Sequence, residues 1–488
     1  MAQLKHRVPV RLRQNWKLVA LCAAFLAVCW GVFGSGTIRP YVTSARAAEA
    51  GTVTTDLTGS KDLFDASVPH DVRLTFTDEA YEDMLTEYFK DGEKKYVEAD
   101  LVIDGTRIPS VGVRLKGNST LQGLTWKGQS KRRVMPGGGP PDGFQPPEGF
   151  QPPEGFQPGN GQPPPGNGRP PGGGGMMRAS LKAEEPESLP WLISFDEFVE
   201  GRRYQGHSQL AVRPPLSGST AMLNEALGIA VVGAAGEPTQ RSTYGSFTVN
   251  GRASTPRLLV EYLDEGYAEG LGDGVLYKSL ASGSFTYKGE DQTAYGTDFK
   301  QVDKVGGKDL QPVIDFVKWV NESSAEEFAA GLAERLDVES FARYVALQNL
   351  MVNFDDMAGP GRNYYLWYDL AAKKFTVVTW DLNLAFNGDA TSGVHDTISM
   401  GRMGGHPLKE KFLADAGFKK LYEEQYRALY AKLLAGDAAS GLLDKLVAAY
   451  NLNDGADAAK VGEEAATLRT FLETRKKTLG ADQAISGA

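Results

Sequence analysis

An α+β fold, strand-rich over its first half and helical over most of its second, is expected from three observations. Between residues 71 and 115 apolar and polar residues alternate with the period of half-buried strands, and the pattern returns between 247 and 263. From residue 310 onward apolar residues recur at three and four, the helical period, except at 364–379 where short strands interrupt. Strands grouped apart from helices pack as α+β rather than as an alternating parallel sheet. At 488 residues, 41% hydrophobic, the chain can bury one large core or two lobes.

Residues 1–17 hold Lys5, Arg7, Arg11, Arg13 and Lys17 without an acid, and an uncharged apolar run follows over 18–34. Such a front end is an export signal or a membrane anchor, and either places the body outside the cytoplasm, secreted or anchored. Both cysteines, Cys22 and Cys29, fall in that run, so the body has no disulfide or thiol chemistry. A net charge of -9 leaves no basic excess for phosphate backbones, which argues against nucleic acid as a partner. The polar, small-residue stretch 51–67 reads as a linker.

The body then unfolds element by element. Residues 71–76 alternate as a strand, and Thr77 caps a helix whose apolar face is Tyr81, Met84, Leu85 and Tyr88. Residues 96–103 and 111–115 form a hairpin around Asp104-Gly105. Its second strand runs into Lys116-Gly117-Asn118-Ser119-Thr120. Glycine there lets backbone approach a ligand, and Lys116 with Asn118 and Ser119 suits phosphate; an ordinary hairpin turn is the alternative. Residues 131–178 repeat Gly-Phe-Gln-Pro-Pro-Glu and continue in Gly and Pro, a composition that cannot build a core and is expected to be a disordered insertion. A short strand at 191–195, a helix capped by Ser219 and a hairpin at 247–263 follow. Helices are expected at 310–319, 325–336, 338–351, 408–434, 442–451 and 459–479.

The stretch 353–388 concentrates the candidate chemistry. Asp355 and Asp356 lie in a Gly/Pro loop, Asn363 opens a strand, and a second strand ends at Asp381, with Asn383 just beyond. Strand–turn–strand folds the chain back, so Asn363 and Asp381 come close, with the two acids beside them. Carboxylate and amide oxygens at strand ends suit Mg²⁺ (or Mn²⁺), although Asp in such a loop also serves as a plain turn residue. Asp381 has no evident basic partner, so a metal cation is its expected counter-charge. Catalytic acid, metal-binding amide, then metal-binding acid past a hairpin is the order used by protein kinases.

The segments NFDD, GRNYYLWYD and KFTVVTWDLNLAF resemble the signature of the spore-coat-protein-H (CotH) kinase family, and VRLKGNST, FTVNG and VLYKS extend the resemblance over roughly residues 80–388. The resemblance implies an atypical two-lobed protein-kinase-like fold, with a β-rich N-lobe at 68–263 and a helical C-lobe at 264–484. It implies ATP and Mg²⁺ as cofactors, Asp355 or Asp356 as the catalytic acid, Asn363, Asp381 and Asn383 at metal, and Glu261 in the hinge beside adenine. Two departures stand out. The strand at 189–196 lacks the lysine a kinase lobe wants, so Lys182 or Lys278 must substitute, and Asn383 stands where many members carry Asp.

The expected activity is transfer of the ATP γ-phosphate to hydroxyls of a secreted or surface protein; the alternative is a catalytically inactive kinase-like assembly or binding module. A paired-carboxylate glycosidase finds little support, because no Glu stands among the key acids. The five histidines show no zinc spacing and no Gly-x-Ser-x-Gly elbow occurs, which excludes the common zinc and serine hydrolase motifs. Deleting residues 136–175 should leave the thermal midpoint within about 5 °C of the parent, since a disordered insertion buries no core. A larger drop would show that the segment packs.

Overall fold

The computed structural model describes residues 17, 20, 53–118, 120–130, 181–216, 219–303, 305, 307–398 and 405–487. The apolar run at 18–34, Ser119 and the Gly/Pro-rich insertion therefore lie outside the described residues, apart from Ala20. Residues 1–48 form a unit of their own, in which Lys17 and Ala20 are helical and exposed; the account below concerns the unit formed by residues 49–488. Among the described residues no helix is long and apolar enough to cross a membrane.

The alternating segments become a closed barrel. The strands in chain order are β1 (Thr55–Leu57), β2 (Asp71–Thr75), β3 (Val97–Ile103), β4 (Thr106–Leu115), β5 (Leu124–Trp126), β6 (Gln129–Ser130) and β7 (Leu181–Lys182). They continue with β8 (Trp191–Ser194), β9 (Arg202–Tyr204), β10 (Gln209–Val212), β11 (Ser242–Val249) and β12 (Thr255–Glu261). Seven of them close in the order β10-β12-β11-β2-β3-β4-β8, and β8 returns to β10. Closure removes the exposed sheet edges that an open sheet would leave. Ile193 shows how it is made: it pairs with Val113 on one side and Leu210 on the other, and all four residues of β8 are buried.

The expected hairpin turn is present, with Asp104 and Gly105 both at positive φ, as a tight two-residue connection requires. Asp104 does more than turn the chain. Its carboxylate accepts from Asp71 N (2.9 Å) and pairs with His70 Nδ1 (2.7 Å), while His70 Nε2 meets the Asp65 carbonyl at 3.0 Å. These contacts correct the reading of 51–67 as a linker: Thr54 N donates to the Gly201 carbonyl, β1 pairs with β9 in a two-stranded sheet outside the barrel, and Leu63 is fully buried in the core. A few anchors order it without any periodic apolar face, which is why its composition reads as loop.

The helix Asp78–Lys90 begins where expected, with Thr77 accepting from Ala80 N. The helix Leu223–Ala235 does not. Met222 at its N-cap has a left-handed backbone and supplies no side-chain cap, and Ser219 instead donates to Glu464. Glu464, on the helix Ala458–Gly480, accepts from Leu223 N (2.8 Å) and Ala221 N (3.1 Å), so a distant carboxylate satisfies the orphan donors and faces the positive end of the helix dipole.

The half expected to be helical also holds a sheet. β13 (Gly274–Ser279), β14 (Phe299–Gln301), β15 (Tyr364–Asp369) and β16 (Lys374–Thr379) run in the order β14-β13-β15-β16, all antiparallel. The helices Gln311–Glu322, Ala325–Gly331 and Val338–Leu350 precede β15 in the chain, and the helices Pro407–Ala414, Ala416–Tyr430, Ala438–Asn451 and Ala458–Gly480 follow β16. The run expected over 408–434 is broken at Asp415, whose carboxylate caps the second piece at Phe418 N (2.9 Å). Arg475 is fully buried and donates to the carbonyls of Asn349 (3.1 Å), Leu350 (3.2 Å) and Ser392. It thereby ties off the C-terminal end of the helix that leads into the Asp355 loop.

The buried His70–Asp104 pair sets a pH window. Burial lowers the His70 pKa, but the hydrogen bonds to Asp104 and Asp65 outweigh it and hold it above its usual 6.5; burial raises Asp104, and His70 with Asp71 N holds it below 3.8. The His70 contribution is complete below 6.5 and lost as pH rises through the raised value, whereas that of Asp104 is present above 3.8 and lost on acidification. The stability difference between parent and His70→Gln, measured by urea unfolding across pH, should be largest between these limits and shrink on both sides. A difference that does not change with pH would show that the pair is not ionised.

Candidate active site

β16 delivers Trp380 and then Asp381, whose backbone is left-handed (φ 57°), a conformation that Asp tolerates better than most residues. Asp381 is not without a basic partner, contrary to the reading of the sequence. Arg213, just past β10, ion-pairs with it and places Nε 2.6 Å from Oε2 of Glu225 on the helix Leu223–Ala235. Arg213 and Glu225 are buried, while the Asp381 side chain keeps 27% of its surface exposed and so remains open to a ligand.

Two lysines complete the field. Lys116 at the end of β4 and Lys278 on β13 hold their ammonium groups 5.2 and 5.3 Å from the centre of the Trp380 ring. Tyr262 and Tyr365 meet the same ring edge-on, and Lys278 Nζ lies 3.4 Å from the Tyr262 hydroxyl. Burial raises the pKa of Asp381, yet Arg213, Lys116 and Lys278 together hold it below the usual carboxylate value. Burial, with the Arg213 charge beside it, brings Lys116 down to about 7. Burial raises Glu225 against the opposing pull of Arg213.

The two neighbouring acids separate. Asp355 Oδ1 accepts from Gly361 N (2.6 Å), and Asn363 Nδ2 donates to both Asp355 Oδ2 and the Asp355 carbonyl at 3.0 Å. The loop closes this tightly because of its glycines: a Cβ on Gly361 would fall 2.6 Å from Asn363 Nδ2 and 2.7 Å from Asp355 Oδ2. Burial raises the Asp355 pKa, and the nearby charges of Asp381 and Asp356 raise it further. Asp356 is buried and committed to structure, 2.5 Å from Lys409 Nζ and accepting from Ala358 N. Of the two candidates, Asp355 is the one that Asn363 holds in the electrostatic field of Asp381.

Other expected residues lie apart. Glu261 is buried but its carboxylate turns to Arg241 N (2.8 Å) and to His207, and it is the next residue, Tyr262, that reaches the Trp380 ring. Asn118 is exposed and accepts from Lys94 (2.6 Å). Asn383 sits in a short 3-10 turn whose carbonyl accepts from Asn224. Lys182 is exposed and paired with Glu185, so it does not substitute for the absent strand lysine. Arg213 and Glu225 escaped the sequence reading. The available signal was Glu225 itself, a lone acid inside the apolar run AMLNEALGIAVV, which demands a buried partner.

Cations grouped over aromatic faces, beside carboxylate and amide oxygens on a close loop, define a site suited to a phosphorylated ligand. The model of the CotH kinase protein family matches residues 180–479, more than half of the chain, and the chain belongs to that family. The match begins after Lys116, which reaches the site from outside it, and it extends through the C-terminal helices. The chain is also similar, at 10% identity and a TM-score of 0.28 over 55% of its length, to a chain of the Shewanella oneidensis MR-1 toxin–antitoxin complex of HipA, HipB and operator DNA, of which it spans 60%. It is similar at 11% identity and a TM-score of 0.29 to the Helicobacter pylori proinflammatory kinase CtkA, with 57% of this chain and 90% of that one covered. No curated protein matches the chain.

Replacing Arg213 by Met leaves Glu225 buried without its charge partner, which should destabilise the fold by about 3–5 kcal/mol. Arg213→Met combined with Glu225→Met should recover most of that loss. Guanidinium unfolding of both variants checks it, and additive losses in the double variant would show that the pair is not coupled.

Proposed function

We propose that this domain transfers the γ-phosphoryl group of ATP to a hydroxyl of a protein acceptor, working outside the cytoplasm on a secreted or surface protein. The observation that carries the reading is the pairing of Asp355 with Asn363 within the electrostatic field of Asp381, beside three cations. Phosphoryl transfer needs alignment and charge neutralisation rather than a covalent nucleophile. Lys116 and Lys278 would take phosphate oxygens, Tyr262 and Trp380 would line the nucleotide, and Asp355 would accept the acceptor's proton.

The donor set fits a divalent cation. Asp381 and the Asn363 side-chain oxygen are hard ligands, and like charge between Asp355 and Asp381 already lifts the Asp355 pKa, a repulsion that a cation would relieve. Asn363 and Asp381 would hold Mg²⁺; when bound, the ion supplies charge neutralisation at the phosphates. In this two-lobed reading the barrel covers the nucleotide and the β13–β16 sheet with its helices carries the acids. The Arg213–Asp381 ion pair favours a second reading, a binding module in which arginine replaces metal.

Asp355→Ala should lower transfer at least about 100-fold while keeping Mg²⁺–ATP affinity. Asp381→Asn, which preserves the left-handed backbone, should abolish the Mg²⁺ dependence of ATP binding. Radiolabel transfer into secreted proteins and calorimetric titration with and without Mg²⁺ decide between the readings. An unchanged rate in Asp355→Ala removes the loop from catalysis, and ATP binding that ignores Mg²⁺ in the parent favours the binding module.

A further inference from the structure

Of the three cations around Asp381, only Arg213 touches it. Arg213 Nη2 donates to Asp381 Oδ1 and Nε to Glu225 Oε2 at 2.6 Å. Lys116 and Lys278 lie over the Trp380 ring and make no ion pair with Asp381 among the described residues. Arg213 Nη1 bonds nothing among the described residues. One N–H of this guanidinium is thus committed to the fold, one sits on an oxygen that a metal ion needs, and the two of Nη1 are unclaimed.

The two ends of the grip differ. The Glu225 side chain is 2% exposed and that of Asp381 27%, so a ligand reaches the Asp381 end. Arg213 can release Asp381 while Glu225 still holds Nε and balances its charge; releasing Glu225 would leave a buried carboxylate without a partner. A divalent ion arriving alone would set its charge against Arg213, Lys116 and Lys278 and take one partner from Arg213 with nothing in exchange. A chain of phosphates alters both conditions. It brings negative charge among the cations and offers oxygens to a planar guanidinium fork, for which phosphate is a preferred partner.

We infer that Arg213 is a counter-ion that changes hands: it keeps Asp381 until a polyphosphate enters, then turns Nη1 and Nη2 to phosphate oxygens and leaves Asp381 to the divalent ion. Metal is then taken only in company with the nucleotide. This rests on the nucleotide and Mg²⁺ reading of the site and adds an order to it, phosphates first and metal second.

Two probes test the exchange on the full chain. Mn²⁺ alone, followed by loss of its free-ion paramagnetic resonance signal, reports the metal ligands, and mant-ATP in EDTA, followed by fluorescence anisotropy, reports phosphate recognition without metal. The parent should bind mant-ATP in EDTA, and more tightly with Mg²⁺. Arg213→Gln should move the two affinities in opposite directions, weakening mant-ATP in EDTA and tightening Mn²⁺, each at least about tenfold. A merely structural role for Arg213 would weaken both together. Adding Asp381→Asn should remove the gained Mn²⁺ binding, which separates it from the surface acids Glu87, Asp91 and Glu93. Thermal unfolding shows whether Arg213→Gln folds; if it does not, Arg213→Gln with Glu225→Gln, which leaves no orphaned buried charge, takes its place. In a folded variant, Mn²⁺ binding that is unchanged or weaker, or mant-ATP binding that is unchanged, overturns the exchange. A parent that binds mant-ATP only with Mg²⁺ also overturns it but keeps the nucleotide site. A parent that binds mant-ATP under neither condition loses the nucleotide site, and the exchange falls with it.

Discussion

A single guanidinium organises this domain. Arg213 leaves the barrel just past β10, pairs with Glu225 on the helix Leu223–Ala235 and with Asp381 beyond β16, and so joins three elements, the last of them 168 residues away. Charges removed from water persist only when their partners are well placed, so the positions of all three elements are mutually constrained. A second buried arginine fixes the first: Arg257, on β12, donates to the Arg213 carbonyl and to the carbonyls of Glu187 and Leu189. Burial draws the Arg257 pKa down to about 9, the mark of a cation held by carbonyl dipoles with only the charge of Glu187 to oppose burial. The barrel therefore presents Arg213 from a backbone that is itself pinned.

Strain gathers around the same place. Val352, Arg362, Asp381 and Phe386 all adopt left-handed backbone, and Val352 is β-branched, so its conformation is held against its own preference. Such residues persist only where surrounding structure over-determines them. Here the determinants are visible: Arg475 seals the end of the preceding helix, and Lys409 fastens Asp356. What remains between them is a short loop in which Asp355 has little freedom to leave Asn363.

How much of this was legible in the sequence follows from the range of each interaction. The hairpin at Asp104-Gly105, the cap at Thr77 and the strands on either side of Lys373-Lys374 are local, and period and turn chemistry disclose them. The closeness of Asp355 and Asn363 is likewise a property of one short loop. Barrel closure is different, because Ile193 must find Val113 and Leu210 with no motif to announce it. The same holds for Arg213, whose partners lie 12 and 168 residues away, and for the separation of Asp355 from Asp356, which depends on Lys409. Residues 53–67 misled for a related reason: pairing and one buried ion pair order them, and neither writes a period into the sequence.

The carboxylate that caps the helix Leu223–Ala235 comes from Glu464, 241 residues downstream of Leu223. This gives the chain an order of assembly. A nascent chain can close the barrel and still hold a helix whose first turn has no acceptor until the last long helix has been made. Contacts of such sequence separation form late and slowly. The element that carries Glu225, and through it the grip on Arg213, is therefore finished from the C-terminal end, and a fragment that stops short of residue 464 would keep its strands but not a settled site.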